Sequence, residues 1–497
     1  MSQLRYKEYG IVRSSAGCTA QVLGLQNCFL GQLVRFGEGT EGIIMGFDLE
    51  IAQILVVKEK EPITPGHQVL ASLEPFYMPT GKALIGRIIN PLGEPLDGQG
   101  PLKPDEYIPY FNEAPGIMDR DGLSHTLETG VKLVDSLLPL GHGQRSLILG
   151  DKMTGKTTIL TDIILNQKGK NVICIYCAIG KPRSSLIRVV DLFKDKKCFD
   201  YTVILSAPAD SSPGQQYLAP YAACAIGEYF MSRGGRVFVG FDDFTRHAWA
   251  YRELSLLMQV PPGRDSYPGD IFYLHSRMIE RAGQLNQEHG GGSMTFIPVV
   301  ELLEGDLTAY VPTNLVSMTD GQIVLSMPLF NEGFRPAVDV GFSVSRVGSK
   351  VQWKAMKSVS KSLRLEFIQF KELLRVSKLQ TGGQSDEVKT QLDQGKLLQA
   401  LLTQSANKPV LLEIQIMSFF GKNEGLLKDL DKNELVEFQD GLYNFTMEHD
   451  SGLFSFMRSV KDLNDEIKAR VKKVIQQYVE LLKSKRVVID EEVEKAA

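Results

Sequence analysis

Short apolar runs that alternate with polar residues fill the chain from residue 4 to about residue 76. Glycines or charged pairs separate these runs, and close spacing of short strands is typical of a small barrel or sandwich. The strand-like runs are 11–12, 20–23, 32–36, 42–47 and 52–57. None of them carries a catalytic grouping, so we expect this part to act as a scaffold or to form a ring.

The pattern changes after residues 79–98, where prolines and glycines cluster. Beyond that boundary, helical spacing such as that of 158–165 alternates with strand-like apolar runs, and the alternation continues to about residue 348. The apolar runs lie at 146–149, 172–178, 203–206 and 236–241. Such alternation is typical of a doubly wound α/β core.

Helical spacing dominates after residue 349, where apolar residues recur every three or four positions in 354–379 and 460–485. The residues of these two stripes are Met356, Val359, Leu363, Phe367, Phe370 and Leu374, then Leu463, Ile467, Val471, Val474, Tyr478 and Leu481. A coiled-coil partner surface would give similar stripes. Because several such helices follow one another, a helical domain that packs its own core is favoured.

These patterns predict a multidomain chain. We expect an N-terminal β-barrel at 1–76, a central α/β domain at 77–350 and a C-terminal α-helical domain at 351–497. A length of 497 residues agrees with about three domains.

Composition excludes several classes of protein. A hydrophobic content of 43% and a charged content of 23% are ordinary for a globular chain, and no apolar stretch is long enough to span a membrane. The N-terminus has the features of neither a signal peptide nor a transit peptide. A net charge of −4 and a pI near 6.1 give no reason to expect nucleic acid. Six cysteines in so long a chain do not make a disulfide framework.

A complete G-x-x-x-x-G-K-[ST] phosphate loop, the Walker A motif, follows the predicted strand at 146–149 and precedes the helical run at 158–165. Its residues are Gly150, Asp151, Lys152, Met153, Thr154, Gly155, Lys156 and Thr157, and Thr158 continues into the helix. In such a loop, backbone N–H groups and the helix N-terminus surround phosphate oxygens. Lys156 is expected to reach the outer phosphates and Thr157 to ligate Mg²⁺, so the loop predicts binding of a nucleoside triphosphate. The α/β domain at 77–350 is therefore expected to be a P-loop nucleotide-binding domain.

A carboxylate pair follows the apolar run at 236–241, which is the Walker B pattern. We assign Asp242 to the Mg²⁺ shell beside Thr157, with Asp243 as the alternative.

Several longer strings make the chain resemble the alpha-type subunits of F-type rotary ATP synthases. The strings are PPGRDSYPGDIFYLHSR at 261–277, YVPTN at 310–314, TDGQ at 319–322, GFRPA at 333–337 and VSRVGS at 344–349. The resemblance runs from about Tyr9 into the helical part and weakens after about Leu379. It implies a barrel, a RecA-like nucleotide-binding domain and a helical domain.

In that family, three alpha-type chains alternate with three catalytic beta-type chains around a rotating gamma-type shaft. The resemblance implies an alpha-type chain that binds ATP or ADP with Mg²⁺, turns it over barely and works within a proton- or sodium-translocating ATP synthase/ATPase. It further implies a peripheral position on the cytoplasmic or organelle-matrix side of an energy-transducing membrane. Contact with the membrane is then made only through the complex.

Lys181 bears on catalysis. Catalytic relatives carry a glutamate after the strand that follows the phosphate loop, and alpha-type chains usually carry a glutamine there. This chain has Lys181 at that position. A cation cannot accept a proton from water at neutral pH, so Lys181 agrees with a site that does not hydrolyse nucleotide.

The resemblance gives Arg346 a role in a neighbouring subunit. The matching arginine of the family projects to the γ-phosphate in the beta-type site, where a guanidinium offsets charge in the transition state. Ser343 matches a position that the family needs for activity. The alternative for Arg346 is a structural ion pair.

For the nucleotide base, the resemblance suggests contacts from Phe330, Arg335 and Gln404. A second glutamine of the family is Ala406 here, while Met153 and Lys152 stand where glutamine and arginine are usual. Backbone groups form the phosphate cradle, so these departures affect affinity and base selectivity instead.

Two further departures concern architecture. The chain starts almost at the barrel, where relatives have an additional segment that docks on the peripheral stalk, and the tail runs past the usual end through 487–492. We expect an altered stalk contact in a divergent rotary ATPase.

Two other functions compete with this interpretation. A catalytic homo-hexameric ATPase of the secretion or flagellar export type would need the glutamate that Lys181 replaces. A Rho-type RNA translocase would need a basic, aromatic surface in the N-terminal domain, which the sequence lacks.

Overall fold

The computed structural model describes residues 7–37, 39–379 and 386–496. The chain divides into two compact units. Unit 1 comprises the residues up to Leu123 together with His142–Lys152 and Gln167–Gln322, and unit 2 comprises Ser124–Gly141, Met153–Asn166 and the residues from Ile323 onward. Within the described ranges, no helix is both long enough and apolar enough to cross a membrane.

The strands, in chain order, are β1 Glu8–Ala16, β2 Thr19–Leu23, β3 Gln32–Phe36, β4 Thr40–Phe47, β5 Ile51–Lys58, β6 Gln68–Pro75, β7 Tyr77–Thr80, β8 Ile88–Ile89, β9 Glu106–Pro109, β10 Thr126–Leu127, β11 Leu140–Gly141, β12 Leu147–Gly150, β13 Val172–Ile179, β14 Thr202–Ala207, β15 Arg236–Asp242, β16 Gly283–Gln284, β17 Ser293–Glu301, β18 Gly321–Leu325 and β19 Val344–Ser345.

The α-helices are α1 Lys132–Leu137, α2 Lys156–Leu165, α3 Arg183–Asp195, α4 Pro213–Met231, α5 Phe244–Leu257, α6 Ile271–Ile279, α7 Tyr310–Met318, α8 Met327–Asn331, α9 Lys354–Ser360, α10 Leu363–Leu379, α11 Asp386–Leu402, α12 Leu412–Asn423, α13 Lys432–His449, α14 Leu453–Val460 and α15 Asp465–Ala496.

Unit 1 begins with a closed antiparallel barrel of strand order β1-β2-β5-β4-β3-β6, which confirms the predicted N-terminal barrel. Alternate residues of each strand point inward, and side chains such as Val22, Val34, Ile54 and Val69 are fully buried. β6 was not among the strands that the apolar runs predict. This strand closes the barrel because it pairs with both β1 and β3.

A parallel sheet of strand order β12-β17-β15-β13-β14-β8 forms the centre of unit 1, and it confirms the predicted α/β core. Because parallel strands end at the same edge, the last residues of β12, β13 and β15 share one edge of the sheet. Gly150, Ile179 and Asp242 are these residues. In open parallel sheets, ligands bind beyond this edge.

Unit 2 is built mainly from α9 to α15 and confirms the predicted helical domain. Its stripe residues Met356, Val359, Leu363, Phe367 and Phe370 are buried, so they form a core and not a coiled-coil surface. The apolar stripe of 354–379 falls on two helices. The structure ends α9 at Ser360 and starts α10 at Leu363, within a serine-rich stretch of weak helix formers.

Candidate nucleotide-binding site

The Walker A loop starts at the carboxyl end of β12, in unit 1. The Gly150 carbonyl accepts a hydrogen bond from the Leu302 backbone N–H (2.9 Å), and Asp151 Oδ1 accepts one from the Gly305 N–H (2.8 Å). These bonds fix the first residues of the loop against the chain that follows β17, and Lys152 is exposed.

The rest of the loop belongs to unit 2 and leads into α2. Gly155 precedes the helix with φ 102°, a left-handed conformation that favours glycine, while no atom would obstruct a Cβ there. The motif glycine is therefore required by backbone conformation. The helix starts at Lys156, which is buried together with Thr154, and Thr157 and Thr158 lie in its first turn. A helix N-terminus of this kind attracts anions.

A cavity of ≈ 270 Å³ lies in unit 2 beside this helix N-terminus. It brings together most of the residues that the sequence analysis assigned to nucleotide. Its lining residues are Val131, Met153, Thr154, Gly155, Thr158, Ile159, Asp162, Phe330, Arg335, Pro336, Ala337, Gln404, Ser405 and Ala406. Phe330, Arg335 and Gln404 thus share a wall with the phosphate loop, although they are far from it in sequence.

Asp162 and Ile159 also line the cavity, and neither was predicted from the motifs. The helical period could have found both, because Gly155, Thr158, Ile159 and Asp162 follow the i, i+3, i+4, i+7 spacing of one helix face. Val131 and Pro336 give no such signal, since their place in the wall depends on the fold.

An aromatic ring and a guanidinium stack at one wall of the cavity. The Arg335 guanidinium lies 4.7 Å from the centre of the Phe330 ring, a cation–π arrangement. The Arg335 carbonyl also accepts a hydrogen bond from the Gln404 backbone N–H at 2.8 Å. A flat stack of this kind can pack against a planar base.

The Gln404 side-chain amide is engaged by the backbone of its own unit. Its Oε1 accepts from the Lys132 N–H (2.9 Å), and its Nε2 donates to the carbonyls of Gly130 (2.8 Å) and Lys408 (2.8 Å). These bonds tie the loop after α11 to the start of α1. The amide therefore shapes the cavity wall, and its role as a base contact stays a prediction.

Asp162 places a carboxyl in the same cavity. Burial raises its pKa to about 7, against the smaller effect of the Asn407 N–H that donates to Oδ1 at 2.9 Å. The carboxyl therefore changes charge near neutral pH, in a wall that a charged nucleotide would approach.

The Walker B pair in unit 1 holds a lysine. Lys181 Nζ lies 2.7 Å from Asp242 Oδ1 and 3.2 Å from Asp243 Oδ2. Asp242 Oδ2 accepts a hydrogen bond from the Tyr176 hydroxyl (2.9 Å), and Asp243 Oδ1 accepts one from the Arg246 N–H (2.9 Å). Each carboxylate side chain is only 1% exposed.

The charged groups of this cluster shift one another's pKa values. Burial lowers the pKa of Lys181, but the attraction of Asp242 and Asp243 outweighs it, so the pKa lies above its ordinary value and the ammonium stays protonated. Burial raises the pKa of the Asp243 carboxyl, and the nearby Lys181 ammonium opposes part of that rise. Burial and the neighbouring Asp242 raise the pKa of Tyr176, which therefore remains a hydrogen-bond donor.

These contacts test whether the Walker B pair fits Mg²⁺. The ion prefers negatively charged oxygens or water in near-octahedral geometry. Each oxygen of Asp242 and Asp243 already faces a donor of this chain, and one donor is a full positive charge. The pair fits an ammonium group and not a divalent cation. Thr157, the other expected Mg²⁺ residue, belongs to unit 2.

Ser343 and Arg346 lie in a short segment of unit 2. Ser343 is buried, and its hydroxyl donates to the Asp339 carbonyl (2.5 Å) and accepts from the Val324 N–H (2.9 Å). Arg346 follows β19 and is exposed. Among the described residues, its guanidinium forms no ion pair. The alternative interpretation, in which Arg346 belongs to a structural ion pair, would require one.

The barrel, the parallel sheet that ends in a Walker A loop and the helical unit define a P-loop nucleotide-binding protein. Residues 130–345 match the family model "ATP synthase alpha/beta family, nucleotide-binding domain", and residues 352–478 match "ATP synthase alpha/beta chain, C terminal domain". The chain belongs to the ATP synthase alpha/beta family, and it is an alpha-type subunit.

Two curated relatives support the assignment to the alpha type. An ATP synthase subunit alpha of Clostridium botulinum (strain Alaska E43 / Type E3) is 42% identical over 476 residues, which cover 96% of this chain and 94% of the relative. Another, from Clostridium botulinum (strain Hall / ATCC 3502 / NCTC 13319 / Type A), is 43% identical over 459 residues, which cover 92% of this chain and 91% of the relative.

Proposed function

We propose that this alpha-type subunit binds ATP or ADP without hydrolysing it and supplies Arg346 in trans to the catalytic site of a beta-type partner. The observation that carries the proposal is the Lys181 ammonium between Asp242 and Asp243. It stands where a catalytic chain needs a carboxylate.

Nucleotide binding is supported by the cavity beside the N-terminus of α2. The helix N-terminus and the loop N–H groups suit phosphate oxygens, and the Arg335–Phe330 stack suits a planar base. Lys156 is the residue that would neutralise the outer phosphates.

Hydrolysis needs a group that orients and polarises the attacking water, because positioning and charge neutralisation supply the rest of phosphoryl transfer. A protonated Lys181 has no lone pair for that task. Because its pKa lies above the ordinary value, Lys181 stays protonated throughout the neutral pH range. It is therefore unable to activate water anywhere in that range.

The trans role of Arg346 is supported by its exposure and by the way its segment is held. Ser343 fixes the chain just before β19, so the exposed guanidinium starts from an ordered backbone. An arginine finger stabilises charge that develops on the transferred phosphoryl group.

The assembly follows from the same proposal. Beta-type subunits would alternate with this chain around a gamma-type shaft, and a peripheral stalk would contact the ring. The chain would lie peripherally on the cytoplasmic or organelle-matrix side of the membrane, in a complex that moves protons or sodium ions.

Co-purification with a beta-type partner tests the arginine. We expect Arg346→Ala to assemble and bind nucleotide normally, while turnover of the complex falls by about 10³-fold or more. Arg375→Ala removes another exposed arginine of unit 2 and should leave turnover unchanged. Unchanged turnover in Arg346→Ala would contradict the trans role.

A further inference from the structure

We infer that Lys181 replaces Mg²⁺ at the Walker B pair, so that this chain binds nucleoside di- and triphosphates with little dependence on a divalent cation. The inference rests on the proposed nucleotide binding and adds the form in which the ligand is held.

The backbone around Lys181 holds the side chain in place. β13 and β15 are neighbouring parallel strands, with Ala178 opposite Asp242. The chain that follows β13, which contains Lys181, therefore lies next to Asp242 and Asp243. The Lys181 carbonyl accepts a hydrogen bond from the Ala209 N–H at 3.0 Å. Gly180 makes the turn with φ 63°, and a Cβ there would lie 2.8 Å from the Arg246 Cβ.

The side chain itself is largely sheltered. Only 20% of the Lys181 side chain is exposed, whereas a solvated surface lysine keeps its ammonium in water. A buried carboxylate pair requires a partner charge, and the ammonium supplies it within ion-pairing distance of both groups.

The lysine changes both the charge and the coordination at the pair. Two carboxylates alone would present two negative charges to a metal ion, while the cluster with Lys181 presents one. An approaching Mg²⁺ would also meet the ammonium at short range in a sheltered site, where repulsion is strong. Displacing Lys181 would leave a partly buried cation without its partners.

The phosphates do not depend on this pair for their cradle. Loop N–H groups, the N-terminus of α2 and Lys156 supply the positive charge of a Walker A phosphate cradle. A nucleotide can therefore be held by these groups while Lys181 balances the Walker B carboxylates.

Equilibrium binding of radiolabelled ATP to the full chain, in excess Mg²⁺ or in EDTA, tests the inference. We expect wild-type dissociation constants that agree within about threefold between the two conditions. For Lys181→Gln, which restores the full charge of the pair, we expect ATP to bind about tenfold or more tightly with Mg²⁺ than without.

Two control variants separate the role of the charge from other effects. Lys181→Arg keeps a cation at the pair and should bind ATP in EDTA as the wild type does. Lys196→Gln removes an exposed lysine near the end of α3 and should also leave the ratio unchanged.

Mn²⁺, whose unbound form is measured by paramagnetic resonance, gives a readout that does not use nucleotide affinity. We expect the ATP-loaded wild type to retain far less Mn²⁺ than ATP-loaded Lys181→Gln. If that variant does not fold, Mn²⁺ retention by the wild type still decides, because one tightly held ion per chain would overturn the inference.

The outcomes distinguish this inference from the proposed function. ATP binding that disappears in EDTA would overturn the inference and leave nucleotide binding intact. Absence of ATP binding under both conditions would overturn the proposed function and the inference with it.

Discussion

Asp162 makes the charge of the cavity beside α2 depend on pH. It lies one helical turn beyond Thr158 on α2 and lines the same cavity. Burial raises its pKa from an ordinary 3.8 to about 7. Because the folded pKa exceeds the unfolded one, the folded chain binds the extra proton between these values. Its contribution to stability is therefore fully present below about pH 3.8 and is lost as the pH rises through 7.

Asp162→Asn should remove this pH dependence. We expect the thermal unfolding midpoint of the wild type to fall relative to that of the variant between pH 5 and pH 8, since only the wild type gains a buried charge. Calorimetry across that range measures the difference. Asp195→Asn, an exposed change at the end of α3, should follow the wild type. Parallel curves for wild type and Asp162→Asn would show that the carboxyl keeps one charge state throughout.

The sequence predicts residues whose role lies in the backbone or in a short motif. Gly155 is an example, because the phosphate loop needs its left-handed conformation and the structure shows it. The bonds of Gln404 are different. Its partners are carbonyls and an N–H far along the chain, so only the folded unit reveals that its amide is engaged. The same holds for the Lys181 ion pairs, whose carboxylates come from another strand.

At the level of elements, the segment from Asp339 to Arg346 is held by side chains from its own unit. Besides the two bonds of the Ser343 hydroxyl, the Arg364 guanidinium donates to the carbonyls of Ser343 (2.9 Å) and Val340 (3.2 Å). β19 is too short to order the segment by strand pairing alone. We therefore expect Ser343 to act as a positioning residue for Arg346.

Ser343→Ala should loosen this segment. It removes two hydrogen bonds and leaves the buried Val324 N–H without its acceptor, a loss of about 1–3 kcal/mol. We expect a lower unfolding midpoint and a smaller fall in turnover of the complex than Arg346→Ala causes. Nucleotide binding should persist. Ser349→Ala, at an exposed position, is the matched control, and equal turnover in both serine variants would contradict a positioning role.

Helical periodicity predicts most of unit 2 and shows where such patterns end. In α15 the predicted stripe holds through Tyr478, but the next buried leucine is Leu482, while Leu481 is 42% exposed. Seven residues of an α-helix fall about 20° short of two full turns, so a fixed stripe drifts around the helix axis with length. The pattern therefore predicts that a helix is present more reliably than it predicts which residues of its last turns are buried.

Across the whole molecule, the order of barrel, α/β core and helical unit could be predicted because hydrophobic periodicity changes sharply between them. Several strands were not predicted from the sequence, and two of them matter most for the architecture. β6 completes the barrel, and β17 lies between β12 and β15 in the parallel sheet. Strand order depends on pairing between distant residues, which a single sequence does not record.

The complete chain offers a test of the division of labour. We expect the isolated chain to bind ATP and to release almost no phosphate, whereas addition of a beta-type partner should produce steady turnover. A phosphate-release assay on the two preparations measures this. Turnover by the isolated chain at ordinary enzymatic rates, on the order of 10 per second, would instead favour the catalytic homo-hexameric class.

The closed barrel limits how this end of the chain can meet other proteins. An open sheet has edge strands whose backbone N–H and C=O groups are unpaired. In this six-stranded barrel, β1 and β6 would be those edges, but they pair with each other. A neighbour cannot extend such a sheet by adding a strand of its own. Any subunit that touches the barrel must recognise it through the shapes and charges of side chains and turns, which makes that recognition sensitive to single surface substitutions.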